Sequence, residues 1–229
     1  MSSASSSISR PQFIRSISSS STKDKPRLYI ALYPRGGSST LSSTFRSTFD
    51  CDSYHWSIVV GPQTADRKDP GLRYHVAHAD AHADTQEGTG ARKFFYEEQD
   101  IPSHTGAQSG LIRIAVAKVT DQRRLQTLLR DIALREDDSA FNCLTWVREA
   151  FVKLLDDGKS VKSYLKPEDW SAVETCARKY CKRKRDAGRF QENNAHGANG
   201  AGRGGGVLNR WNPEMISTFN FWENRETTP

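Results

Sequence analysis

Three residues have types and positions suited to covalent chemistry: Cys143, His55 and His75. Cys143 follows Asn142, a good helix N-cap, and precedes Leu144, Val147, Ala150, Phe151 and Leu154 at helical spacing. A thiol at a helix start meets the positive end of the helix dipole, an arrangement that favours thiolate nucleophiles. A small buried hydrophobe is the competing reading of the same cysteine. His55 lies in the β-type run of residues 54–60, where Tyr54, Trp56, Ile58 and Val60 share one face and His55, Ser57 and Val59 the other. An imidazole on such a strand must have its nitrogens satisfied, either by backbone or a carboxylate, or as a base paired with the thiol. His75 stands on the next predicted strand, where antiparallel pairing sets it beside His55 as the group that orients the base.

The elements that must position these residues are legible as local patterns. Strands are predicted over residues 27–33, 54–60, 72–77 and 111–118, with a short one at 94–97. Three helices follow. The first starts from an Asp121 cap and carries Leu125, Leu128, Leu129 and Ile132. The second starts at Cys143 and stops before Gly158. The third begins near Pro167-Glu168 and carries Val173, Ala177 and Tyr180. Strands first and helices last predict an α+β fold, with an antiparallel sheet and the cysteine-bearing helix packed on it. The domain is placed at residues 26–190, between a disordered Ser-rich tail (1–25) and a Gly/Asn-rich linker (191–206). The apolar segment 207–229, with Trp211, Met215, Phe219, Phe221 and Trp222, is expected to fold back onto that domain.

Composition narrows the function classes. The four cysteines, Cys51, Cys143, Cys176 and Cys181, form no CxxC pair and no zinc-ligand spacing. Cys176 and Cys181, on the third helix, point to different faces. His78, Asp80, His82 and Asp84 are metal-ligand types, but their Ala-rich, loop-like spacing reads as a solvated loop, so neither metal nor cofactor is expected. No apolar run is long enough to cross a bilayer, and reduced cysteines suit an intracellular protein, cytoplasmic or nuclear. The Ser- and Arg-containing N-terminus also fits a mitochondrial presequence. Net charge is +6, much of it in Lys179, Lys182, Arg183, Lys184 and Arg185 with Arg178 beside them. That run reads as a solvated helix face, or as a surface for an acidic partner or nucleic acid.

Together, Tyr54-His55-Trp56-Ser57-Ile58-Val59-Val60-Gly61, His75 on the following strand and Asn142-Cys143-Leu144-Thr145-Trp146-Val147 resemble the circularly permuted papain-like superfamily. That group includes lecithin retinol acyltransferase, its phospholipase/acyltransferase relatives and some deubiquitinating peptidases. In this branch the histidine strand precedes the cysteine helix, as here. The resemblance implies a thiol hydrolase or acyltransferase acting on a peptide, isopeptide or acyl ester, with Cys143 as nucleophile, His55 as base and His75 as orienting group. Leu144-Thr145 stand where acyltransferase relatives often have Glu-His after Asn-Cys. The span 27–190 also resembles an uncharacterised family of fungal proteins with a Tyr-His-Trp-Ser strand and an Asn-Cys-x-Thr-Trp-Val helix. Two other readings stand beside catalysis: a catalytically inactive binding module that uses the basic helix, and a structural protein with no defined ligand.

Overall fold

The computed structural model describes residues 25–34, 54–63, 71–78, 93–101, 110–190 and 216–228. The Ser-rich tail up to residue 24, Cys51, Asp80, His82, Asp84, the linker at 191–206, Trp211 and Met215 lie outside them. So does the side chain of His78.

Five strands open the described chain: β1 (Arg27–Pro34), β2 (Tyr54–Gly61), β3 (Gly71–His78), β4 (Phe94–Ile101) and β5 (Ile112–Val119). Helices α1 (Gln122–Arg130) and α2 (Cys143–Asp157) follow, then a two-residue strand, β6 (Val161–Lys162). A single 3-10 turn at Pro167–Asp169 leads into α3 (Trp170–Asp186), and β7 (Ser217–Asn220) and β8 (Arg225–Thr228) end the chain. One mostly antiparallel sheet of order β4-β3-β2-β1-β5-β7-β8 results, with β6 paired to β5, so the fold is α+β.

β4 is longer than the short strand the sequence predicts. Its far half, residues 98–101, is largely polar, but it pairs with β3 along its whole length, from Gly71↔Ile101 to His78↔Phe94. Of the C-terminal segment, the described residues 216–228 lie against the sheet as two strands. β7 runs parallel to β5 (Ile112↔Ser217 to Ala115↔Asn220), and β8 pairs with β7. A parallel partner so far along the chain leaves no local signature, since its pairing depends on where β5 ends up in the sheet.

Side-chain alternation divides the sheet into two faces. Leu28, Ile30, Leu32, Tyr54, Trp56, Ile58, Val60, Tyr74 and Val76 belong to one large core with Trp146, Val147, Phe151 and Leu154 of α2 and Val173 and Ala177 of α3. Trp56, Phe151 and Trp170 stack at tilted angles inside it. Tyr29, Ala31, Tyr33, Val59 and Ala115 form a second buried cluster from the alternate positions.

Local sequence sets the ends of the helices. The Asp121 side chain accepts from the Arg124 backbone N–H at 3.0 Å and starts α1. Gly158 ends α2 in a left-handed conformation (φ 60), which costs glycine nothing sterically. The basic run on α3 is in part the solvated face its composition suggests, with Lys179, Lys182 and Arg183 exposed, but two of its cations turn inward. Lys184 is 7% exposed and pairs with Glu226 of β8, and Arg185 reaches the Tyr54 hydroxyl at 3.3 Å. Arg178 pairs with Glu174, and Lys182 with Asp186. The return of β8 brings an acid against the helix, and helical spacing turns Lys184 towards it.

Candidate active site

Asn142 holds the start of α2 in a complete capping box. Its side-chain oxygen accepts from the backbone N–H groups of Leu144 (2.9 Å) and Thr145 (3.1 Å), while its own backbone N–H donates to the Thr145 hydroxyl (2.8 Å). Cys143 therefore occupies the first helical position and is 5% exposed. It lies at the edge of the helix-side core, and α2 makes contacts with β2 and β3.

His55 and His75 are brought together. His55 Nε2 and His75 Nδ1 are 3.0 Å apart, with ring planes at 87°. One of the two nitrogens donates and the other accepts, so the pair holds each ring's orientation. Backbone pairing between β2 and β3 runs through residues 58–60 and 72–74. Beyond it β2 stays paired with β1 as far as Pro34↔Tyr54, and β3 with β4 as far as His78↔Phe94. The imidazole pair bridges β2 and β3 at this end of the sheet.

Both histidines alternate with residues of the large core, so they leave the sheet on the face that carries Tyr33 and Val59. Cys143 starts from the helix side. What links the two sides electrostatically is Arg73, two positions before His75 on the same face of β3. Burial pulls the Arg73 pKa down, and Tyr33, Glu97 and Cys143 each oppose that shift. The Arg73 guanidinium lies over the Tyr33 ring, 3.9 Å from its centroid.

Burial is also the main influence on His75, whose pKa drops to about 3, with Arg73 and His55 adding to the effect. Glu97 Oε2 lies 3.2 Å from His75 Nε2 but out of line for a hydrogen bond, and the carboxylate is half exposed. Desolvation outweighs it, and His75 is neutral at pH 7.

The remaining thiols among the described residues have different surroundings. Burial raises the pKa of Cys176, and takes Cys181 up to about 11. Cys181 is buried and Cys176 half-buried on α3, in keeping with their separate helix faces. No group of three or more metal-ligand side chains occurs among the described residues, and no helix there is long and apolar enough to cross a membrane. Arg73, Tyr33 and Glu97 are members of this neighbourhood that sequence reasoning missed. The alternation that singled out His75 also puts Arg73 on its face, which was the available signal.

The chain belongs to a family of unknown function, DUF6914, whose model matches residues 25–228. No curated protein and no solved structure matches it.

Proposed function

Taking membership of that family as the premise, we propose that the protein is a thiol hydrolase or acyltransferase of permuted papain-like design. Cys143 is its nucleophile, His55 its general base and His75 the group that orients His55. In the first step His55 accepts the thiol proton and the Cys143 sulfur adds to the carbonyl carbon of a peptide, isopeptide or acyl ester. The tetrahedral adduct collapses to acyl-Cys143 as the leaving amine or alcohol departs with the proton returned by His55. Water, or an acceptor alcohol or amine, then attacks the acyl-enzyme with His55 again as base, releasing the acid or the new acyl product and restoring the thiol. The backbone N–H groups at the start of α2 are the nearest candidates to bind the oxyanion.

The observation that carries this reading is the 3.0 Å His55–His75 contact, in a chain whose Cys143 opens an Asn-capped helix that packs on the same two strands. A structural histidine needs only a backbone partner, whereas this one is held by a second imidazole kept neutral by burial. The thiol and the imidazole pair start from opposite sides of the sheet, so the proton path has to cross the end of the β2–β3 ladder. Labelling with a thiol-directed activity probe from pH 5 to 9, wild type against Cys143→Ser and His55→Ala, tests the assignment. Cys143 should label first, with a pH profile that His55→Ala displaces. Preferential labelling of Cys176, or a profile indifferent to His55, would sink it.

A further inference from the structure

On the histidine face of the sheet, several buried polar atoms have no hydrogen-bond partner: Tyr33 Oη, Ser57 Oγ and Arg73 Nε. Tyr33 is 3% exposed and Ser57 fully buried. They come from three adjacent strands, β1, β2 and β3, and they converge. Arg73 stacks on the Tyr33 ring, and Ser57 lies near enough to the Tyr33 hydroxyl to lower its pKa as a weak hydrogen-bond partner, short of a full bond. Buried polar groups are nearly always bonded, and leaving one unmade costs on the order of 1–3 kcal/mol. A set of unpaired polar groups around one guanidinium is therefore an arrangement that the oxygens of a bound ligand would complete.

The chemistry of the set identifies the class of ligand. Arg73 can only donate, and its Nη1 makes a long 3.4 Å contact with Gln99. No carboxylate forms an ion pair with it among the described residues; Glu97 raises its pKa from a distance. Burial pushes the Tyr33 hydroxyl pKa up, so at neutral pH it is a protonated donor. The unpaired indole N–H groups of Trp56 and Trp146 differ, because they sit within the apolar core on the helix side. Donors and a cation with few competing acceptors match the oxygens of an anion.

We propose that Tyr33, Ser57 and Arg73 bind an anionic oxygen group, a carboxylate or a phosphate, on the molecule whose carbonyl Cys143 attacks. The placement of that group next to Cys143 rests on the thiol chemistry proposed above; the anion site itself does not. Arg73 is the specificity residue.

The test uses the full chain and two probes, succinate for the carboxylate and inorganic phosphate for the phosphate. Calorimetry should show saturable binding of one of them, weakened at least tenfold in Arg73→Gln and in Tyr33→Phe. Because Tyr33→Phe removes a single unpaired oxygen, it keeps the experiment decisive if Arg73→Gln does not fold. Binding of neither anion, or binding indifferent to both substitutions, overturns the site. Alkylation of Cys143 then locates it. The ratio of iodoacetate to iodoacetamide rates should fall at least tenfold in Arg73→Gln. Anion binding with Cys143 inert to both reagents would retain the site and reject the thiol chemistry. A labelled Cys143 with an unchanged ratio would retain the thiol and reject the anion site beside it.

Discussion

On its helix side the sheet buries Leu, Ile, Val and aromatic residues against α2 and α3, and on its other side it buries Tyr33, Ser57, His75 and part of Arg73. Apolar burial of the first kind stabilises at roughly 25 cal/mol per Å² removed from water. Polar burial of the second kind opposes folding wherever partners are missing. One face thus holds the fold together, and the other carries groups that the fold keeps in place at a cost. Local destabilisation concentrated on one face is a common mark of a working site.

Four measurements test this contrast. The largest effect belongs to Cys143→Ser, which is expected to remove turnover of activated esters by a factor on the order of 10³ or more while unfolding midpoints barely move. Turnover that survives would assign the histidine face some role other than catalysis. Trp146→Ala comes next. It empties a fully buried site on the helix side, and chemical denaturation should report a loss of about 3–5 kcal/mol.

The pH dependence of stability is an intermediate effect. His75 has a folded pKa of about 3 against an ordinary value of 6.5. As pH falls below 6.5 the unfolded chain takes up the proton first, so stability present above 6.5 is lost on the way down to about 3. The slope is at most about 1.4 kcal/mol per pH unit. Denaturation midpoints at pH 7, 5.5 and 4 should fall for wild type and fall less for His75→Gln; parallel curves would show that His75 titrates normally. Tyr33→Phe is the smallest, within about 1 kcal/mol and of either sign, because the hydroxyl it deletes has no partner to lose. A loss above 2 kcal/mol would mean that the polar face is structural after all.

Much of the helix side was legible in the sequence because its determinants are local. Asn142, Thr145 and Gly158 bound α2 through contacts a few residues apart, and the alternation of Tyr54–Gly61 assigned each side chain to a face before any partner strand was known. The pairing of His55 with His75 needed one further assumption, that consecutive strands pair antiparallel, which β2 and β3 obey. The resemblance to permuted papain-like enzymes added roles to these residues but could not supply Arg73 or Tyr33, which belong to none of the quoted motifs.

What tertiary structure alone decided is non-local. Lys184 looked like one cation among several until β8 brought Glu226 to it, and nothing local set Arg73 apart in its strand until its guanidinium met Tyr33 two strands away. β7 became a strand only because β5 offered it an open edge. Residue types and short spacings determine caps, faces and periods, since those depend on neighbours within a turn or two of chain. Which charges end up buried, and which donors are left unpaired, depends on segments that meet across tens of residues of sequence.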